Sequence, residues 1–285
     1  MLAAGGEAVY ISEPLNAWHR PGVLRAPTRH WYTYICAENE EIFLPAFHEM
    51  LDFRYHTWDE IRSLRSRKDA GRMARDWSLF ARGRLGRKRP LVKDPFAIFS
   101  APWFAARLGC RVVITVRHPA AFASSLKRLE WPFEFKDLLE QPLLMRDLLE
   151  PFRKEMETIQ VDDMIAQGSL LWKLIYHVVD DYRRQHPEFI IVRHEDLSQE
   201  PLQGFRALYQ SLGLTFVPQV QQAIMSASSA ENPEELSKSA MHAYKLDSRA
   251  NLHKWKSRLS QDEIKRISHL TASVAARYYP EVDWE

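Results

Sequence analysis

From Arg111 to Ser125 the chain reads R-V-V-I-T-V-R-H-P-A-A-F-A-S-S, and this stretch narrows the fold more than any other. Val112 to Val116 is a short β-branched run without regular polar alternation, the pattern of a fully buried strand in a parallel sheet. Pro119 suits the first turn of a helix, where its missing N–H is no loss. Arg117 is therefore expected at the carboxyl end of a strand, just before a helix start. Anions bind at such places in open α/β sheets, because the helix N-terminus offers N–H donors and a partial positive charge. An arginine and a serine so placed can equally pair with nearby backbone or carboxylates.

The strand, Arg117, Pro119 and Ser125, eight residues after the arginine, resemble the sulfotransferases that use 3′-phosphoadenosine 5′-phosphosulfate (PAPS). The resemblance implies that Arg117 and Ser125 hold the 3′-phosphate of the nucleotide. A later stretch, Phe189-Ile-Ile-Val-Arg-His-Glu-Asp-Leu197, is similar to the family's late strand. Pro201 after it suits a helix start and Gly213 a left-handed stop. Arg193, Glu195 and Asp196 stand at that strand's end, where charge is costly to bury unpaired, and they are expected to serve in structural pairing rather than in ligand contact.

Near the start, Val9-Tyr-Ile-Ser-Glu-Pro-Leu-Asn-Ala-Trp-His19 resembles the strand and turn of the carbohydrate-type branch. That branch places a candidate general base here, which carries over to Glu13. A carboxylate suits the task, since the acceptor hydroxyl loses its proton as its oxygen attacks sulfur. Glu13 before Pro14 can also simply cap a turn. Lys93-Asp-Pro95 closes another strand-like run. It offers Asp94 where cytosolic members carry a histidine, which makes Asp94 the second candidate base.

The sulfate-side loop of the family, of the type P-[KR]-S-G-T-T-[WF], has no counterpart in this sequence, and neither does a G-x-x-x-x-G-K-[ST] string. Residues 1–7 contain no basic side chain and no hydroxyl. The resemblance thus implies an α/β, P-loop NTPase-like parallel sheet flanked by helices, with the first strand and its loop missing. Residues 1–285 are expected to form one N-terminally truncated domain. A nucleotide kinase fits less well, because it needs a Walker loop and a metal-holding aspartate at a strand end. A non-catalytic homologue that binds adenosine 3′,5′-bisphosphate (PAP) is the main alternative.

Fourteen Phe and nine Trp in 285 residues suffice for one sizeable core, and a net charge of +2 gives no reason to expect nucleic acid. The expected partner is a glycan or small-molecule acceptor. Two cysteines, Cys36 and Cys110, provide no disulfide framework and fit a reducing compartment, so a cytoplasmic location is expected. No run has the length and apolarity of a membrane span. The histidines and cysteines lack metal-ligand spacing, so no metal is expected.

Other strand candidates are Val9 to Ile11, Leu91 to Lys93 and Phe189 to Val192. Capping-box patterns stand at Thr57-Trp-Asp-Glu60 and Ser260-Gln-Asp-Glu263. Between Arg62 and Arg89 eleven basic residues face two acids, Asp69 and Asp76. Such a run attracts anions or forms a solvated helix face. Late in the chain, Ser248-Arg-Ala-Asn-Leu-His-Lys-Trp-Lys-Ser-Arg-Leu259 resembles the family's basic segment before its last helix, which makes Arg249 and Lys256 candidate phosphate contacts and Trp255 a packing anchor.

Overall fold

The computed structural model describes residues 1–18, 20–235, 245–279 and 284, so His19, which closes the first motif, lies outside the described residues. The chain expected as one domain packs as two compact units. The first comprises Met1–Arg111 with Gly213–Val217, and the second Val112–Leu212 with Pro218–Glu285.

In the first unit, β1 (Ala8–Ser12) pairs in parallel with β2 (Arg89–Lys93), Ala8 opposite Arg89 and Ser12 opposite Lys93. The crossover between them carries α1 (Glu40–Leu51), α2 (Thr57–Ser63) and α3 (Arg67–Leu85), and a 3₁₀ turn at Pro95–Ser100 leads into α4 (Ala101–Leu108). Phe43, Ala46, Phe47 and Met50 recur at helical spacing on α1 and are buried. The Phe47 ring meets those of Trp103 and Phe104 on α4 edge-on, at 5.6 and 4.9 Å between centroids. Helix α3 begins at Ser66, whose hydroxyl accepts the Asp69 N–H, and buries Asp76, Phe80 and Gly83. A β-carbon at Gly83 would stand 2.5 Å from the Phe53 ring, so glycine is needed there for close approach.

The capping box expected at Thr57 does not form. Thr57 is already helical, His56 is the residue before the helix, and the Glu60 carboxylate turns inward to accept the Gly22 N–H at 2.8 Å. Tertiary demand for a buried acceptor wins over the local pattern.

In the second unit, β3 (Val113–Val116) pairs in parallel with β4 (Ile190–Arg193), Val113 opposite Ile190 and Val116 opposite Arg193. Then come α5 (Pro119–Leu129), short helical turns through residues 136–158, and α6 (Met164–Gln185). After β4 follow α7 (His194–Gln199), α8 (Pro201–Ser211), α9 (Pro218–Ser228), α10 (Ser248–Leu252), α11 (Lys254–Arg258) and α12 (Gln261–Ala275). Helices α5, α6 and α12 pack together around Ala120, Ala121, Ala123, Ile165, Ile264 and Ile267, joined by Trp255 and Leu259. Small residues let α5 and α6 touch: a β-carbon at Gly168 would lie 3.0 Å from the Ala123 Cα. The second capping box does form, Ser260 Oγ accepting from Glu263 and the Glu263 carboxylate from Ser260. Pro119 and Pro201 each open a helix as expected, and Gly213 adopts a left-handed φ of 58°.

The fold is thus a helix-rich α/β arrangement with small parallel sheets. Among the described residues the strands form two pairs and not one wide sheet. A two-stranded pair covers its faces incompletely, which is why Thr115 of β3, expected inside a fully buried strand, is exposed.

Candidate functional site

In the second unit the carboxyl end of β3 delivers Arg117 directly to the start of α5. Two side chains of α6, one helical turn apart, fix this corner. The Trp172 indole N–H donates to the Arg117 carbonyl at 2.7 Å, and the Tyr176 hydroxyl donates to the Thr115 carbonyl at 3.1 Å. Trp172 is fully buried. The backbone before α5 is therefore held by the core, through Trp172 and Tyr176.

Burial lowers the Arg117 pKa, and the nearby Glu195 carboxylate acts in the opposite direction. Glu195 does not close an ion pair on the arginine. One of its oxygens accepts the His118 backbone N–H at 2.9 Å and the other the Tyr279 hydroxyl at 2.7 Å. Burial, reinforced by Glu195, raises the Tyr279 phenol, which stays a protonated donor. Glu195 is thus a structural acceptor, as the pairing argument anticipates. Arg193 pairs with Asp196 at 3.3 Å and lies over the Tyr279 ring at 5.0 Å.

Ser125 is two turns into α5, where its hydroxyl donates to the Ala121 carbonyl at 2.9 Å. Its oxygen remains an acceptor in this state, and it donates to an anion only after rotating off that carbonyl. The helix start itself is partly used, because the His118 imidazole caps it: Nδ1 accepts the Ala120 N–H at 3.2 Å. One of the donors expected for an anion is therefore already satisfied. Trp255 stacks on His118 at 5.0 Å with an interplanar angle of 11°, and Lys256 lies over the same indole at 5.5 Å.

Of the two late candidates, Lys256 reaches this neighbourhood, since its charge acts on His118. Arg249 is committed elsewhere. Its Nε donates to the Gln199 carbonyl at 2.9 Å and its Nη2 to Glu200 at 3.3 Å, at the end of α7. Sequence reasoning passed over Arg258, whose charge acts on Arg117, and His118, which caps the corner. Both stood inside motifs already noted, as the last basic residue of K-W-K-S-R and the residue after Arg117.

In the first unit Glu13 and Asp94 follow the parallel ends of β1 and β2. Glu13 adopts a left-handed φ of 46°, unusual for a residue with a β-carbon. Its carboxylate pairs with Lys93 and accepts from Asn16 Nδ2 at 3.2 Å. Burial raises the Glu13 pKa, but Lys93 and Asn16 more than offset this, so the net shift is downward. Asp94 accepts the Leu15 N–H at 2.6 Å and the Phe96 N–H at 2.9 Å. Burial pushes its carboxyl up to about 7 against those two donors.

A groove of about 270 Å³ lined by Ile159, Asp163, Ala166, Leu170, Lys173 and Arg266 contains none of these residues. Its charges close on neighbours, as Lys173–Glu155 and Arg266–Asp163 pairs. Among the described residues no cluster of three or more metal-ligating side chains occurs, and no helix is long and apolar enough to cross a membrane.

No family profile matches the chain. A mouse (Mus musculus) protein, carbohydrate sulfotransferase 3, is 26% identical over 172 residues, which is 59% of this chain. The match spans 31% of that protein's length. A solved structure, the sulfotransferase domain from the curacin biosynthetic pathway, superposes on 93% of this chain and 96% of its own with a TM-score of 0.44 and 14% identity. The chain is thus similar in sequence, weakly and over part of its length, to a sulfotransferase.

Proposed function

We propose that this chain is the nucleotide- and acceptor-binding body of a PAPS-dependent sulfotransferase. Its substrate class is a hydroxyl or amine of a carbohydrate or other small molecule. The observation that carries the reading is Arg117, a half-buried cation at a strand end whose neighbouring carboxylate is occupied by His118 and Tyr279. In the reaction the acceptor oxygen or nitrogen forms a bond to sulfur, the bond from sulfur to the 5′-phosphate oxygen breaks, and PAP leaves. Arg117 and Ser125 hold the 3′-phosphate of that leaving nucleotide, with Lys256 adding positive charge. Glu13 takes the acceptor proton, and Asp94 is the second candidate for that role. No metal is required by this scheme.

A second reading has its own observation. The sequence contains no P-[KR]-S-G-T-T loop to bind the transferring group, so the 285-residue chain can be a PAP binder without turnover. Both readings share the 3′-phosphate site. Calorimetry of the chain with PAP and with AMP tests it, PAP being expected to bind more tightly. Arg117→Ala is expected to remove about 1.5–3 kcal/mol of that preference, the worth of a charge-assisted hydrogen bond. Equal affinity for the two nucleotides in the unsubstituted protein would overturn the assignment.

A further inference from the structure

The solvent side of α3 carries an apolar stripe among its basic residues. Ala70, Ala74, Trp77, Ala81 and Leu85 follow one another at spacings of four, three, four and four, so they form one stripe along it. This stripe is separate from the one that carries Asp76, Phe80 and Gly83 into the core. All of its members but Ala81 are exposed; Trp77 is 52% exposed and Leu85 86%. Exposed Arg67, Arg82 and Arg84 flank it. On α2, just before, Trp58 is 75% exposed and Ile61 40%, beside exposed Arg62 and Arg65.

The acids of this region pair with Arg72 and Arg75 and leave Arg67, Arg82 and Arg84 beside the stripe. Asp76 is 4% exposed and bonds Arg20 at 2.6 Å as well as Arg75 at 3.1 Å. Asp69 serves the helix start, accepting from Ser66 and from Arg72 at 2.8 and 2.7 Å. What remains outward is an apolar stripe ending in a tryptophan and a leucine, bordered by arginines. Arginine beside exposed tryptophan and leucine is the chemistry of an interfacial helix, in which apolar side chains enter the acyl boundary while cations meet lipid phosphates.

We propose that α2 and α3 form a peripheral docking surface for an anionic lipid bilayer. Charge complementarity selects this occupant. A second copy of the chain would bring the basic residues of α2 and α3 against themselves. A soluble polyanion would use the arginines and leave Trp77 and Leu85 in water.

The test is co-sedimentation of the full chain with vesicles of phosphatidylcholine alone and of phosphatidylcholine with about 30 mol % phosphatidylglycerol. Binding is expected to the anionic vesicles only. It should fall about fivefold for each arginine removed in Arg67→Gln and Arg84→Gln. The double variant Trp77→Ser, Leu85→Ser should lower it about tenfold or more. These side chains are exposed, so unchanged circular dichroism and melting are expected and verify that each variant is folded. Four results would overturn the proposal: no binding to anionic vesicles, equal binding to neutral ones, indifference to the Trp77/Leu85 double variant, or Trp77-dependent dimerisation in sedimentation velocity. Heparin binding as tight as vesicle binding and unaffected by the double variant would assign the surface to soluble polyanions instead.

Discussion

Acidification should destabilise this protein through one buried imidazole. His118 is 7% exposed, stacks on Trp255 and caps α5 through Nδ1. Burial pushes its pKa down from 6.5 to about 4; Lys256, Arg193 and Arg117 act in the same direction, and Glu195 opposes them. The folded state therefore favours the neutral ring, whereas the unfolded chain protonates it near 6.5. The resulting stability is fully present above pH 6.5 and is lost as the pH falls through the window down to about 4. The fall from 6.5 to about 4, at about 1.4 kcal/mol per tenfold change in proton affinity, makes the whole contribution about 3.5 kcal/mol. Between pH 7 and pH 5 the loss is about 2 kcal/mol. Urea unfolding followed by far-UV circular dichroism at the two pH values measures it, with His118→Asn as the reference. Asparagine is a favoured N-cap, so the variant keeps a cap while losing the titration. His194 and His56, whose pKa values burial also lowers, are present in both proteins and cancel in the difference. If the unsubstituted protein and His118→Asn lose the same stability from pH 7 to pH 5, His118 is not the acid-sensitive group.

Gly83→Ala should lower stability by about 1–2 kcal/mol in urea titration, because strain against the Phe53 ring outweighs the roughly 1 kcal/mol helix-propensity gain; a more stable variant would contradict the packing argument. The 285-residue chain should show no sulfuryl transfer from radiolabelled PAPS to a panel of sugars and simple alcohols, and turnover would mean that the donors for the transferring group lie in a segment with no family signature. In an active form Glu13→Gln should keep PAP affinity while kcat falls by about 10²-fold or more. Normal turnover in Glu13→Gln with loss in Asp94→Asn would exchange the two roles.

The four strands were legible because each is a short apolar run bounded by charge, proline or glycine, and their observed limits differ from the expected ones by one or two residues. Pro119, Pro201, Gly213 and the Ser260 capping box were legible because the physics that selects those residues is local. The Thr57 box was not, since the Glu60 carboxylate satisfies a distant backbone N–H at Gly22. Likewise, the resemblance singled out Arg117 and Ser125 as candidates, but nothing local could show that Glu195 is occupied by His118 and Tyr279. Those contacts join residues 77 and 84 positions apart, and no period or motif encodes them. Arg249 shows the converse, as a basic residue in a suggestive segment whose donors Gln199 and Glu200 take up.

The two candidate bases differ in a way that proton affinity alone misses. Asp94, at about 7, binds a proton more readily than Glu13, which Lys93 and Asn16 hold below its usual range. Yet the donors on Asp94 are the backbone N–H groups of Leu15 and Phe96, fixed by the fold. Protonating one of its oxygens weakens the backbone hydrogen bond that oxygen accepts at the β1 and β2 ends. The principal partner of Glu13 is an ammonium on a flexible stem, with the Lys93 side chain 54% exposed. An incoming anion can draw that ammonium away, and each step it takes from the carboxylate returns basicity to Glu13. A base with a removable partner is ionised before substrate arrives and strengthens when the anion is present. On these grounds we propose Glu13 ahead of Asp94 as the base, although its resting pKa is the lower of the two.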